Sequence, residues 1–113
     1  MTVSERTIGN VTVVDLEGKL LLGASAEGLS DKIRSLLQQG QKHFIVNLAG
    51  VPYMDSSGLG ELVHMYATVT RQGGVLKLLN TTSRLQDLLV ITKLATVFEC
   101  FDNEVTALAS FAP

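Results

Sequence analysis

The fold of this chain is decided by residues 43–80, HFIVNLAGVPYMDSSGLGELVHMYATVTRQGGVLKLLN. The segment opens with a nearly continuous apolar run over 43–48, which is typical of a strand in a sheet covered by helices. Apolar residues then recur at helical spacing over 57–72, at Leu59, Leu62, Val63, Tyr66 and Val69. Gly73-Gly74 ends that helix, and a second apolar strand follows over 75–80. A strand, a helix and a strand in this order predict parallel pairing through a right-handed crossover.

On the N-terminal side, the pattern predicts a hairpin and a first helix. Residues 3–8 and 11–17 flank the turn signal Gly9-Asn10, and residues 20–22 add a short piece of sheet edge. Ser25 is the expected cap of the helix that follows. The apolar face of that helix is formed by Leu29, Ile33, Leu36 and Leu37, and Gly40 is the expected stop.

On the C-terminal side, a third helix, a last strand and a final helix are expected. Thr81, Thr82 and Ser83 are all candidate N-caps of the third helix, and Ser83 and Gln86 have the spacing of a capping box. Residues on one side of the third helix are Leu85, Leu88, Leu89 and Thr92. The last strand is expected at Val97–Phe101 and the final helix at Glu104–Phe111.

The resulting order is a β-hairpin followed by alternating α and β units. We therefore expect an α/β fold with a mixed β-sheet and helices packed on it. The chain of 113 residues is 46% hydrophobic and 18% charged, which suits one packed core and a single domain over residues 1–113.

Charge and cysteine content exclude several classes of function. The formal net charge is −2 with no block of like charge, so a nucleic-acid or membrane-surface footprint is not expected. No stretch reaches the ~20 apolar residues of a membrane span, and the N-terminus is not a signal peptide. The one cysteine, Cys100, lies in an apolar run and is expected to fill core space, which favours a reducing, cytoplasmic location.

The loop between the central strand and the second helix, Val51–Gly60, carries the candidate site. Asp55, Ser56 and Ser57 are all good N-cap residues, although one helix needs only one cap. Gly58 and Gly60 each cost the helix roughly 0.5–1 kcal/mol against alanine. Two glycines would leave the first turn bare, so that another protein could approach the Ser56 hydroxyl. The alternative is a turn and a cap with glycines required for tight packing.

An intrinsic enzyme is not expected. The segment lacks the Gly-x-Ser-x-Gly elbow of hydrolases and the chain lacks a phosphate-binding loop. His64 is eight residues along the same helix from Ser56, roughly 12 Å in axial rise, and His43 begins the strand whose far end leads into the loop. Neither would reach Ser56 as a base. Two separated histidines and one cysteine predict no metal site.

The segment Met54-Asp55-Ser56-Ser57-Gly58-Leu59-Gly60 resembles the phosphorylation motif of the anti-sigma factor antagonists, which are STAS domains. Further similar segments are Gly18-Lys19-Leu20, Ile45-Val46-Asn47-Leu48, Gly73-Gly74 and Lys77-Leu78. The resemblance covers nearly the whole chain. One departure is Leu21-Leu22, where members of the family often carry an acidic residue.

The resemblance implies a partner-switching role in sigma-factor control. An anti-sigma factor with serine kinase activity would phosphorylate Ser56, with Ser57 as the less favoured acceptor. A serine phosphatase would remove the phosphate. Only the unphosphorylated form would bind the anti-sigma factor. The partner-binding residues would be Met54, Asp55, Ser57, Gly58, Leu59 and Gly60. No cofactor is implied, because ATP and magnesium would belong to the kinase. Alternatives are a STAS scaffold of a stress-sensing assembly, or a soluble STAS subunit of a lipid or anion transport complex.

Overall fold

The structure is a computed structural model that describes residues 2–18 and 24–111, with side chains described from residue 28 onward in the second range. Within these ranges the elements follow one another as β1 (Thr2–Ile8), β2 (Val11–Glu17), α1 (Ala24–Gln38), β3 (His43–Gly50), α2 (Ser56–Arg71), β4 (Val75–Leu79), α3 (Ser83–Ile91), β5 (Cys100–Phe101) and α4 (Glu104–Ala109). This is the predicted order of elements. The predictions for Lys19, for Leu20–Leu22 and for the side chain of Ser25 lie outside the described residues.

A single mixed sheet holds the described strands in the order β1-β2-β3-β4-β5. β1 and β2 pair antiparallel across the turn at Gly9, which has a φ of +63°. The neighbours β2, β3, β4 and β5 all pair in parallel. The predicted α/β class with a mixed sheet is confirmed. Since parallel strands share one direction, the loops that leave β3 and β4 emerge side by side at one edge of the sheet.

The main core lies between the sheet and the helices α1, α2 and α3. The predicted apolar faces of α1 and α2 are confirmed, because Leu29, Ile33, Leu62 and Val69 are fully buried. They pack with Val14, Phe44, Val46, Leu48, Leu76 and Leu78 of the strands. Each such side chain contributes roughly 1.5–3 kcal/mol by leaving water. This face therefore anchors α2 and α3, the two helices that begin after the ends of β3 and β4.

The shorter helix α4 covers the opposite face of the sheet. Its Ala107 packs in a smaller buried cluster with Val11, Val13, Ile45 and Leu79. Lys77 of β4 is buried, and its Nζ lies 2.9 Å from Ser110 Oγ and 3.4 Å from a Glu99 carboxylate oxygen. A buried ammonium group needs such partners, and they tie the C-terminal segment to the middle of the sheet.

Two glycine stops are confirmed. Gly40 and Gly73 have φ angles of +92° and +79°, a conformation that favours glycine. Both follow the last turn of a helix, and the amide after each bonds to the helix: Gln41 N–H to the Leu36 carbonyl and Gly74 N–H to the Val69 carbonyl. This is the pattern of a Schellman motif.

The start of α3 differs from the sequence prediction. The N-cap is Thr82, whose Oγ1 accepts a hydrogen bond from the Leu85 amide at 3.2 Å. Ser83 is therefore the first helical residue, and the predicted capping box with Gln86 is wrong. The Gln86 amide group instead donates to the Thr81 hydroxyl. The run of three hydroxyl residues offered three caps, and the position of β4 selected the middle one.

The C-terminal predictions were too long. β5 contains only Cys100 and Phe101, because the Val97 amide bonds back to the Leu94 carbonyl at 3.0 Å in a turn. The helix α4 ends at Ala109, two residues before Phe111. Thr92 is an exposed C-cap of α3, so it does not extend the buried side of that helix.

Candidate functional site at the start of the second helix

Asp55 is the N-cap of α2. Its backbone is extended, with φ −93° and ψ −178°, and its Oδ1 accepts a hydrogen bond from the Gly58 amide at 2.8 Å. Its carbonyl accepts the Leu59 amide at 3.0 Å. One of the three predicted cap residues therefore does the capping. Ser56 becomes the first residue of the helix, where its own amide points out of the helix end.

The Ser56 side chain is exposed, whereas Ser57 is half-buried. Among the described residues, the Ser56 hydroxyl takes part in no intramolecular hydrogen bond by the usual distance criteria. The more accessible of the two serines is thus the one that the motif places directly after the aspartate. A hydroxyl at this position is available to a second molecule.

Gly60 is exposed in the same turn, and a Cβ added to it would meet no atom of the described residues within 4 Å. Its φ is not in the positive region. The fold therefore has no packing or conformational need for glycine at this position, although alanine would suit the helix better. The tight-packing explanation for the glycines does not hold for Gly60.

The other predicted site residues divide between the core and the surface. Met54 is 9% exposed and Leu59 is 3% exposed, and both belong to the main core. Gly58 is also buried. These three residues hold the loop in place and present little surface to a partner. Tyr53, which directly precedes Met54, is 40% exposed.

A groove beside Ser56 involves residues that sequence reasoning missed. One wall is formed by Tyr53, Met54, Asp55 and Ser56, and the other by Arg84, Asp87, Leu88 and Ile91 of α3. The Arg84 guanidinium carbon lies 5.9 Å from the centre of the Tyr53 ring. Ile91 is 76% exposed. The sequence signal that could have predicted this groove was the parallel pairing of β3 with β4, because it places the starts of α2 and α3 next to each other.

A chain of polar side chains braces this edge of the sheet. The Asn47 amide nitrogen donates to Asp15 Oδ1 at 2.7 Å, and Asn80 donates to Asn47 Oδ1 at 3.1 Å. The Arg6 guanidinium pairs with Asp15 and lowers the pKa of that carboxyl, with the Asn47 hydrogen bond acting in the same direction. These contacts therefore link β1, β2, β3 and the residue that follows β4.

Groups that could perform catalysis lie elsewhere. The His43 ring stacks near Phe111 at 5.2 Å between centroids, and His64 Nε2 lies 3.4 Å from an Arg34 nitrogen. Over residues 2–18 and 24–111 no cluster of three metal-ligating side chains occurs. Cys100 is half-buried, short of the full burial expected, and this burial raises the pKa of its thiol. Among the described residues, the site therefore offers a serine hydroxyl at a helix N-terminus, with both histidines engaged elsewhere.

In the part of the chain that the structure describes, none of the helices has the length and apolar character needed to cross a membrane.

Comparison with known proteins gives a consistent set of relatives. A family model described as the STAS domain matches residues 2–107. The anti-sigma F factor antagonist of Paenibacillus polymyxa is 30% identical over 103 residues, which are 87% of this chain and 84% of that protein. The anti-sigma-B factor antagonist of Bacillus subtilis is 43% identical over 75 residues, 66% of this chain and 68% of that protein. The solved structure of the Bacillus cell fate determinant SpoIIAA in its phosphorylated form superposes with a TM-score of 0.77 at 21% identity, covering 98% of this chain and all of that one.

Proposed function

The chain belongs to the STAS domain family, and from this premise we propose that it is an anti-sigma factor antagonist with Ser56 as its phosphorylation switch. In the unphosphorylated form it binds an anti-sigma factor that has serine kinase activity, and the sigma factor is released. The kinase transfers the γ-phosphoryl group of ATP to Ser56 Oγ, giving ADP and a proton, and the phosphorylated chain dissociates. A serine phosphatase restores the starting state.

In this proposal the protein acts in the cytoplasm by binding, and its own residues perform no catalysis. ATP and magnesium belong to the kinase. The names of the two curated relatives describe antagonists of anti-sigma factors, and the name of the SpoIIAA structure describes a phosphorylated form. These names support the same role for this chain.

The observation that carries the proposal is the pairing of an exposed Ser56 with an open Gly60 in one helical turn. A kinase must bring ATP to the hydroxyl within bonding distance, and a bare turn permits that approach. Gly60 costs the helix stability, and among the described residues no close contact requires it, so its value lies outside the isolated chain. The contact surface then consists of Asp55, Ser56, Ser57 and Gly60, with Met54, Gly58 and Leu59 holding it from below.

The energetics favour a switch that acts on binding. A phosphate carries a charge of about −1.5 to −2 at pH 7 and is tolerated at a helix N-terminus. Asp55 opposes it by like-charge repulsion, so the net effect on folding is small. Within an interface, the same group would face the phosphates of the bound nucleotide. A cost of about 3 kcal/mol would lower the affinity more than a hundredfold.

The proposal is tested by mapping phosphorylation on the chain isolated from its own cells, beside Ser56→Ala and Ser57→Ala variants. We expect intact-mass and fragment spectra to place one phosphate on Ser56, and only the Ser56→Ala variant to lose it. A phosphate on Ser57 would show that Ser57, and not Ser56, is the acceptor. No phosphate during growth, starvation or stress would contradict the sigma-control role and favour a scaffold or a transport-complex subunit.

A further inference from the structure

We propose that Arg84 is the cation that receives the phosphate on Ser56, in an ion pair that spans the groove between the start of α2 and the helix α3. The biological meaning of this pair rests on the proposed function. Its chemistry depends only on the chain itself, and the two can be tested separately.

Position and charge single out Arg84. It lines the same groove as Ser56, and it is the only cationic side chain among the described residues of that lining. The salt bridges found within the described residues leave its guanidinium out, unlike those of Arg6 and Arg34. Its guanidinium instead lies over the face of the Tyr53 ring, at 5.9 Å. This guanidinium is therefore available for a new ionic partner within the groove.

The contact with Tyr53 is easily exchanged for a stronger one. An exposed cation–π contact is among the weaker interactions of an arginine. A guanidinium forms two parallel, charge-assisted hydrogen bonds to phosphate oxygens, which is the geometry that arginine fits best. Arg84 is exposed, so its side chain is free to exchange the Tyr53 ring for another partner in the groove.

The remaining charges of the groove favour this pairing. Asp55 lies directly before Ser56. Asp87 lies one turn after Arg84 in α3, on the wall of the groove that faces Ser56. Both carboxylates repel a phosphate dianion and would raise the second pKa of phosphoserine. The N-terminus of α2 and Arg84 act in the opposite direction. Arg84 is thus the side chain of the groove lining that favours the dianionic form of the phosphate.

The pair would also change the surface on both walls of the groove. Arg84 shares its wall of the groove with Leu88 and Ile91. A bridge from Arg84 to the phosphate would therefore alter this wall as well as the Ser56 hydroxyl.

The test installs phosphoserine at position 56 during translation, so that no kinase is required. The second pKa of the phosphate is measured by ³¹P NMR in the otherwise unchanged chain, in Arg84→Gln and in Arg84→Lys. Arg71→Gln is the matched control, because Arg71 lies at the far end of α2, about 22 Å of axial rise away. We expect Arg84→Gln to raise the pKa by about 0.5 unit or more, Arg84→Lys to raise it less, and Arg71→Gln to leave it unchanged.

An equal pKa in the unchanged chain and in Arg84→Gln would overturn the ion pair. Melting curves confirm that each variant is folded, which is expected for exposed positions. The outcome is independent of the proposed function: a pKa shift together with no phosphate in cells would support the pair and contradict the switch. A phosphate on Ser56 in cells, together with an unchanged phosphate pKa in Arg84→Gln, would support the switch and contradict the ion pair.

Discussion

The helices α2 and α3 begin in nearly the same way. Each follows a parallel strand, and each has an N-cap side chain, Asp55 or Thr82, that accepts a hydrogen bond from the amide three residues later, at 2.8 and 3.2 Å. In each helix the first residue is an exposed serine, Ser56 or Ser83. By local geometry alone, the two serines are equivalent.

The difference lies in the residues that follow. In α2 they include Gly58 and Gly60, and Gly60 leaves open space above the helix. In α3 the equivalent positions carry Leu85 and Asp87. A capped helix start with a serine is thus a common structural device, and the bare first turn is what makes one of them approachable. Ser83 is a control for Ser56 within the same molecule.

The largest expected effect comes from filling the bare turn. Gly60→Trp should lower the affinity for the anti-sigma factor by about a hundredfold, because the ring occupies the space through which the partner reaches Ser56. Isothermal titration calorimetry measures this affinity. Ala67→Trp is the matched control, since Ala67 is another small, exposed residue about two turns further along the same helix. Equal binding by the Gly60 variant and the Ala67 variant would show that the bare turn is not the contact surface.

A second prediction separates a glycine that the fold requires from one that it does not. A Cβ at Gly74 would lie 2.5 Å from the Lys42 carbonyl oxygen and 2.8 Å from a Val69 methyl group. Gly74→Ala should therefore destabilise the protein by about 1–3 kcal/mol. Gly60→Ala should stabilise it by roughly 0.5–1 kcal/mol. Urea denaturation of both variants measures whether the free energy of unfolding falls or rises. A loss of stability in Gly60→Ala would mean that the fold itself needs that glycine.

A smaller effect is expected from the two caps. Asp55→Ala and Thr82→Ala each remove one hydrogen bond to a helix amide and should each cost about 1 kcal/mol of unfolding free energy. Asp55→Ser keeps a capping oxygen and should recover most of the loss. Thermal unfolding followed by circular dichroism measures all three variants. If Thr82→Ala were silent while Ser83→Ala cost stability, the assignment of the α3 cap would be incorrect.

The fold could be predicted from the sequence because its signals are long and periodic. The continuous apolar run of β3 and the 3.6-residue spacing in α1 and α2 each rest on four or more side chains, and burial confirms them. The glycine stops at Gly40 and Gly73 could be identified because a positive φ leaves few other choices. The STAS resemblance is confirmed by the family model over residues 2–107.

The failures occurred where two or three residues offered the same local chemistry. Thr81, Thr82 and Ser83 are all caps by type, and only the end of β4 decides among them. Val97 has a strand-forming side chain, but the turn at Leu94 removes it from the sheet. Arg84 was missed because its relation to Ser56 is created by strand pairing and has no counterpart in sequence spacing.

The central claim is that a phosphate on Ser56 controls partner binding without disturbing the fold. Its most direct test is a calorimetric titration of the anti-sigma factor with three forms of the chain: unmodified, with phosphoserine at 56, and with phosphoserine at 83. We predict that the phosphate at 56 lowers the affinity more than a hundredfold, that the phosphate at 83 leaves it within a few-fold, and that all three forms melt at similar temperatures. Unchanged affinity with phosphoserine at 56 would contradict the account, as would a loss of binding that only follows unfolding.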